Sequence, residues 1–197
     1  MRTSRLEAFS DGVIAILITI MVLELRAPQG GDLSALRPVM PGLLTYVLSF
    51  AYLAIYWNNH HHMLHVARSV NGAILWANLH LLFWLSLIPF VTSWLGESHG
   101  APWPTALYGA VLLLSGFAYI ALQQAIIRHH GRESELATAV GRDFKGKLSI
   151  VGYAAAIALA FSEAWISDLI YVAVALVWVI PDRRIEAVLR AGRELAK

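Results

Sequence analysis

The fold class this sequence predicts is an all-α membrane protein, and three observations predict it. Hydrophobic residues make up 58% of its 197 positions and charged residues only 14%, where soluble domains carry about 25% charged residues. Six apolar segments follow one another, separated by polar or Gly/Pro-bearing connections. The basic residues alternate with those segments so that threading them through a bilayer collects nearly all on one side. The length accommodates one six-helix domain, 1–197, and no separate soluble domain. A pI near 9.0 comes with a formal net charge of only +2, which asks for membrane orientation rather than a nucleic-acid partner. The absence of cysteine excludes disulfides and thiolate sites.

The first span is read at 7–25. Its uncharged core, 12–23, is 12 residues long, short of the roughly 20 a helix needs to cross a bilayer. It must therefore take in Ser10 and Asp11 at one end and Glu24 at the other. An aspartate near membrane depth is costly against lipid, so it faces protein or water and marks a functional region. The start, MRTSR before an apolar run, resembles a signal peptide. Glu7 and Asp11 interrupt it and no small-x-small site follows Leu23, so an uncleaved span is expected.

The second span covers about 41–65, with Pro41 suited to a helix first turn. The third covers 73–95, the fourth 104–127, the fifth 148–161 and the sixth 166–180, closed by Pro181-Asp182-Arg183-Arg184. Ser162-Glu163-Ala164-Trp165 reads as a tight hairpin between the last two. Gly152, Ala156 and Ala160 form a small-residue stripe that lets helices approach closely. The basic, loosely amphipathic tail after Pro181 is expected at the inner leaflet surface.

With the N-terminus inside, 13 of the 15 Lys and Arg residues fall on the cytoplasmic side and only Arg26 and Arg37 outside. Both termini are therefore expected in the cytoplasm. Trp57, Trp94, Trp103 and Trp165 lie near span ends, as aromatic belts do.

At 100° per residue, Ile16, Ile20 and Leu23 cluster on one face of the first span, with Gly12 and Thr19 beside them. Asp11 lies about 140° from Ile16, and Ser10 about 120° away on the other side. The polar pair thus turns toward neighbouring helices while the aliphatic stripe keeps a face of its own. On periodicity alone such a stripe is most simply one that packs or meets lipid.

Arg5-Leu6-Glu7-Ala8-Phe9-Ser10-Asp11 resembles the R-x-x-x-F-S-D motif on the first helix of the endolysosomal and prokaryotic potassium channels, the transmembrane protein 175 family. Tyr56-Trp57-Asn58-Asn59-His60-His61 is similar to that family's W-x-x-H-H element, and Leu87-Ile88-Pro89-Phe90-Val91-Thr92 to its L-I-P-F stretch. The resemblance spans essentially the whole chain and is closest to the prokaryotic members. It implies a homotetramer around a central pore lined by the first helix, in the plasma membrane of a prokaryote. It further implies a constriction of bulky aliphatic side chains instead of a TVGYG filter, at Ile16, Ile20 and Leu23. Thr19 would coordinate or hydrate a passing potassium ion near Ile16. Arg5, Phe9, Ser10 and Asp11 would anchor the pore helix, with Trp57 and His60 or His61 in an interhelical network around Asp11. An apolar ring can exclude water and favour potassium, which dehydrates more easily than sodium. No cofactor or resident metal is implied; the partners are other copies of the chain, membrane lipid and potassium.

Two other readings compete. His60, His61, His62 and His65, within eight histidines in all, suggest the boxes of membrane di-iron enzymes, but only His61 and His65 have a suitable spacing, and His80, His99 and His129-His130 complete no box. No enzyme is expected. A proton- or ion-coupled secondary transporter using Asp11 and the His60–His65 cluster is the stronger rival, although no pair of spans is interrupted as in inverted-repeat carriers.

Overall fold

The first apolar run folds as α1, Thr3–Leu23, 21 residues long. The helix begins well before Ser10, so Ser10 and Asp11 lie inside it and do not cap it. That is the length a span requires. The computed structural model describes residues 3–67, 69–98, 100–131, 134–140 and 144–179. Arg2, Arg68, His99, Arg132, Arg142, the end of the sixth apolar segment at Ile180 and the basic tail after Pro181 lie outside them.

A 3₁₀ turn, Leu33–Val39, leads into α2, Met40–His65, with Pro41 in its first turn as expected. The third segment, expected as one helix, is two: α3, Gly72–Ser86, and α4, Ile88–Glu97, meet at Leu87. Pro89 supplies no N–H, and its ring excludes the carbonyl four residues back, so the ladder breaks just before it. The L-I-P-F stretch therefore opens α4. α5, Pro102–His130, is followed by the short α6, Glu135–Val140, which no apolar pattern announced. α7, Phe144–Leu159, and α8, Ala164–Val179, are joined by a turn in which the Ser162 and Glu163 amides donate to the Leu159 carbonyl, one residue or two earlier than the expected hairpin.

Four helical stretches among the described residues are long and apolar enough to cross a membrane: Thr3–Leu23, Leu33–His65, Gly72–Glu97 and Pro102–His130. α7 and α8 have 16 residues each, about 24 Å of helix against the ~30 Å of a hydrocarbon core. All six expected apolar segments are helical, and four of them have full spanning length.

The most extensive packing joins α3 to α5, α5 to α7, α2 to α4 and α7 to α8, while α1 rests on α2, α3 and α4. Where α2 and α4 cross, a Cβ on Gly96 would stand 2.8 Å from the Gly42 Cα, so glycine sets that approach. Ala156 and Ala160 of the small-residue stripe are buried, and a Cβ at Gly152 would meet Val174 of α8 at 3.2 Å. Several polar groups inside the bundle are paired, as an apolar surround favours. Thr92 donates to Ser49 (2.7 Å), Ser49 bonds Tyr108 (2.9 Å), and Tyr52 and Tyr171 donate to the carbonyls of Tyr171 and Thr105.

Candidate functional site

α1 divides lengthwise. Leu6, Ser10, Ile14, Leu17 and Met21 recur every three or four residues and are buried against the bundle. On the other side Arg5, Phe9, Gly12, Ile16, Thr19, Ile20 and Leu23 are exposed, all within an arc of about 100°. Ile16 is 59% exposed and Leu23 77%. The exposed Thr19 hydroxyl donates to the Ala15 carbonyl at 3.0 Å, which leaves its oxygen free to accept. The R-x-x-x-F-S-D motif is thus divided: within the chain Ser10 and Asp11 face neighbouring helices, while Arg5 and Phe9 continue the exposed stripe.

A chain of hydrogen bonds holds the buried side. The wholly buried Ser10 donates to the Leu6 carbonyl (2.9 Å) and accepts from Asn78 Nδ2 of α3 (3.0 Å). Asn78 Oδ1 in turn lies 2.7 Å from His60 Nε2 of α2. Since the amide oxygen faces the ring, His60 carries its hydrogen on Nε2. Its Nδ1 is buried with no hydrogen-bond partner among the described residues, so a second ring N–H would find no acceptor among them. Three helices are tied by one continuous network.

One residue further along α1, the Trp57 indole donates to Asp11 Oδ1 at 3.0 Å. His61 Nδ1 pairs with Glu7 Oε1 at 2.8 Å and stacks on both Trp57 and His65. Of the expected network residues, Trp57 meets Asp11, His61 meets Glu7, and His60 reaches Ser10 through Asn78. Glu7 and Asn78 were not singled out from the sequence. Both had signals: Glu7 and Asp11 are spaced i, i+4, as are Trp57 and His61, so each pair shares a helix face. Asn78 is an amide within an apolar run, where a polar side chain seeks an interhelical partner.

At the other end of α1, Glu24 borders a cavity of about 540 Å³ whose lining includes Met21, Arg26, Tyr46 and Glu97. Partial burial and the neighbouring Glu97 carboxylate raise the Glu24 carboxyl above its ordinary range. Arg26 and Glu97 pair at 3.0 Å but are exposed, and such pairs contribute little to stability. Elsewhere among the described residues, His80 accepts from Trp84 within α3, and His129 bonds Ser69 and Asn71.

Residues 5–89 match the family model described as the endosomal/lysosomal potassium channel TMEM175. A potassium channel of Chryseobacterium sp. (strain P1-3) is 52% identical over 190 residues, 96% of this chain and 99% of that one. A potassium channel of Streptomyces collinus is 31% identical over 176 residues, 82% and 84% of the two chains. The fold is similar to the crystal structure of a lysosomal potassium-selective channel TMEM175 homolog from Chamaesiphon minutus, with a TM-score of 0.78 and 28% identity over 91% of this chain and 97% of that one.

Proposed function

The chain belongs to the TMEM175 family of potassium channels, and from that premise we propose that it conducts potassium through a pore lined by the exposed stripe of α1. It is a channel-family protein and not an enzyme. The observation that carries the proposal is the division of α1. One face is fixed by Ser10 and Asp11 to α2 and α3, and another face presents Ile16, Thr19, Ile20 and Leu23, all exposed among the described residues. In a homotetramer these faces meet around the axis. Ile16, Ile20 and Leu23 form stacked apolar rings that select by the cost of shedding water, and the Thr19 oxygens offer brief, weak coordination. Both termini lie in the cytoplasm of a prokaryotic cell, the exposed aromatic and aliphatic surface of the other helices meets lipid, and no cofactor takes part.

The carrier reading is less favoured: His60 is committed through Nε2 to Asn78, and two relatives that cover most of the chain are named potassium channels. Current through purified protein in planar bilayers under a potassium gradient tests the proposal. Unitary potassium currents are expected; saturable flux at carrier rates without unitary events overturns it.

A further inference from the structure

The pairing of Glu7 with His61 and the nearness of Asp11 place three metal-competent atoms together at one end of α1. One ligand atom from each lies within 4.8 Å of the others. A point central to three atoms so spaced is at most about 2.8 Å from each, against the ~2.0–2.2 Å of zinc–nitrogen and zinc–carboxylate bonds. Closing that gap takes less than an ångström per side chain, within rotamer adjustment. Two helices supply the set, Glu7 and Asp11 one turn apart on α1 and His61 from α2, so it exists only in the folded chain.

We propose that Glu7, Asp11 and His61 form a binding site for a divalent transition ion of the zinc class, with water in the fourth position. The donor set decides the class: one imidazole nitrogen with two carboxylates suits zinc, whereas calcium and magnesium take six or more oxygens in this setting. Two features prepare the site. The Trp57 indole holds Asp11 through Oδ1, the kind of outer hydrogen bond that orients a ligating carboxylate. His61 stacks on Trp57, which fixes its ring plane. The side chains of His61 and Glu7 are 42% and 23% exposed, which gives an ion access from water. On binding, the ion takes the place of the proton shared between His61 Nδ1 and Glu7. Occupancy cross-links α1 to α2 roughly one and a half to two and a half turns from Ile16, independently of what the stripe conducts.

The test uses untagged full-length protein in nanodiscs, stripped with a chelator and titrated calorimetrically with zinc chloride, together with zinc-edge X-ray absorption of the loaded protein. Expected are one zinc per chain, a zinc shell with one imidazole among oxygen donors, and affinity lower by roughly tenfold or more in Glu7→Gln and His61→Gln. His80→Gln, outside the set and bonded to Trp84 within α3, binds as the unaltered protein does. Unchanged affinity in both site variants, two or more imidazoles in the shell, or no saturable binding overturns the proposal. Should His61→Gln fail to assemble, the isosteric Glu7→Gln and the absorption spectrum of the unaltered protein still decide it.

Discussion

The two sides of α1 use opposite chemistry for opposite purposes. The side turned inward carries hydrogen bonds whose geometry admits one arrangement: Ser10 to Asn78 to His60, and Asp11 to Trp57. The side turned outward carries aliphatic groups that bind nothing tightly. Directional bonds hold a helix in place, while a permeant ion passes only where binding is weak. If the stripe is the ion path proposed above, the helix keeps Ser10 and Asp11 away from it, although an aspartate in a short span first suggests the reverse.

That contrast can be broken from either side. The largest effect is expected from Asn78→Leu, which strands the His60 N–H and the Ser10 oxygen inside the bundle at a cost of about 1–3 kcal/mol each. Thermal unfolding in detergent should fall well below that of the unaltered protein, and a variant melting normally would show the network to be dispensable. Ile16→Asn should leave melting unchanged and lower potassium-over-sodium discrimination several-fold, because a polar ring returns to sodium the partners it lost with its water. Reversal potentials that do not move would remove Ile16 from the selective layer. Asp11→Ala should cost on the order of 1 kcal/mol, seen as weaker assembly by size exclusion with selectivity retained in the channels that remain.

The smallest effect sharpens the picture at the far end. Glu24 has a raised carboxyl pKa, through partial burial and Glu97, so it gains a proton at a higher pH than an ordinary glutamate. Its charge is present above that raised value and lost as pH falls through it, and with it, if the proposed pore opens near this end of α1, some attraction for cations there. The sign for stability is the reverse: this group's contribution is full below the ordinary glutamate pKa and lost as pH rises through the raised one. Glu24→Gln should remove an acid-dependent decrease in current, measured at fixed potassium from neutral to acidic pH. A decrease of the same size in the variant would assign it elsewhere.

Much of this architecture was legible beforehand because membrane helices announce themselves by composition. Ile16, Ile20 and Leu23 cluster through helical phase alone, and the same phase turned Ser10 and Asp11 inward, as found. The break at Leu87 was within reach, since Pro89 stood in plain view, but an uninterrupted apolar run outweighed it. The pairing of His60 with Asn78, 18 positions on, and of His61 with Glu7 was not legible. Adjacent histidines on α2 point about 100° apart, and which neighbour each meets depends on how α1 and α3 flank that helix.

By itself, then, the sequence determined the class, the apolar segments and the phase of α1, because helix geometry and the cost of polar groups in lipid are local properties of a chain. Only the tertiary structure decided which polar side chains are satisfied by which. That choice depends on the distance and rotation between helices far apart in the chain, set by close contacts such as Gly96 on Gly42.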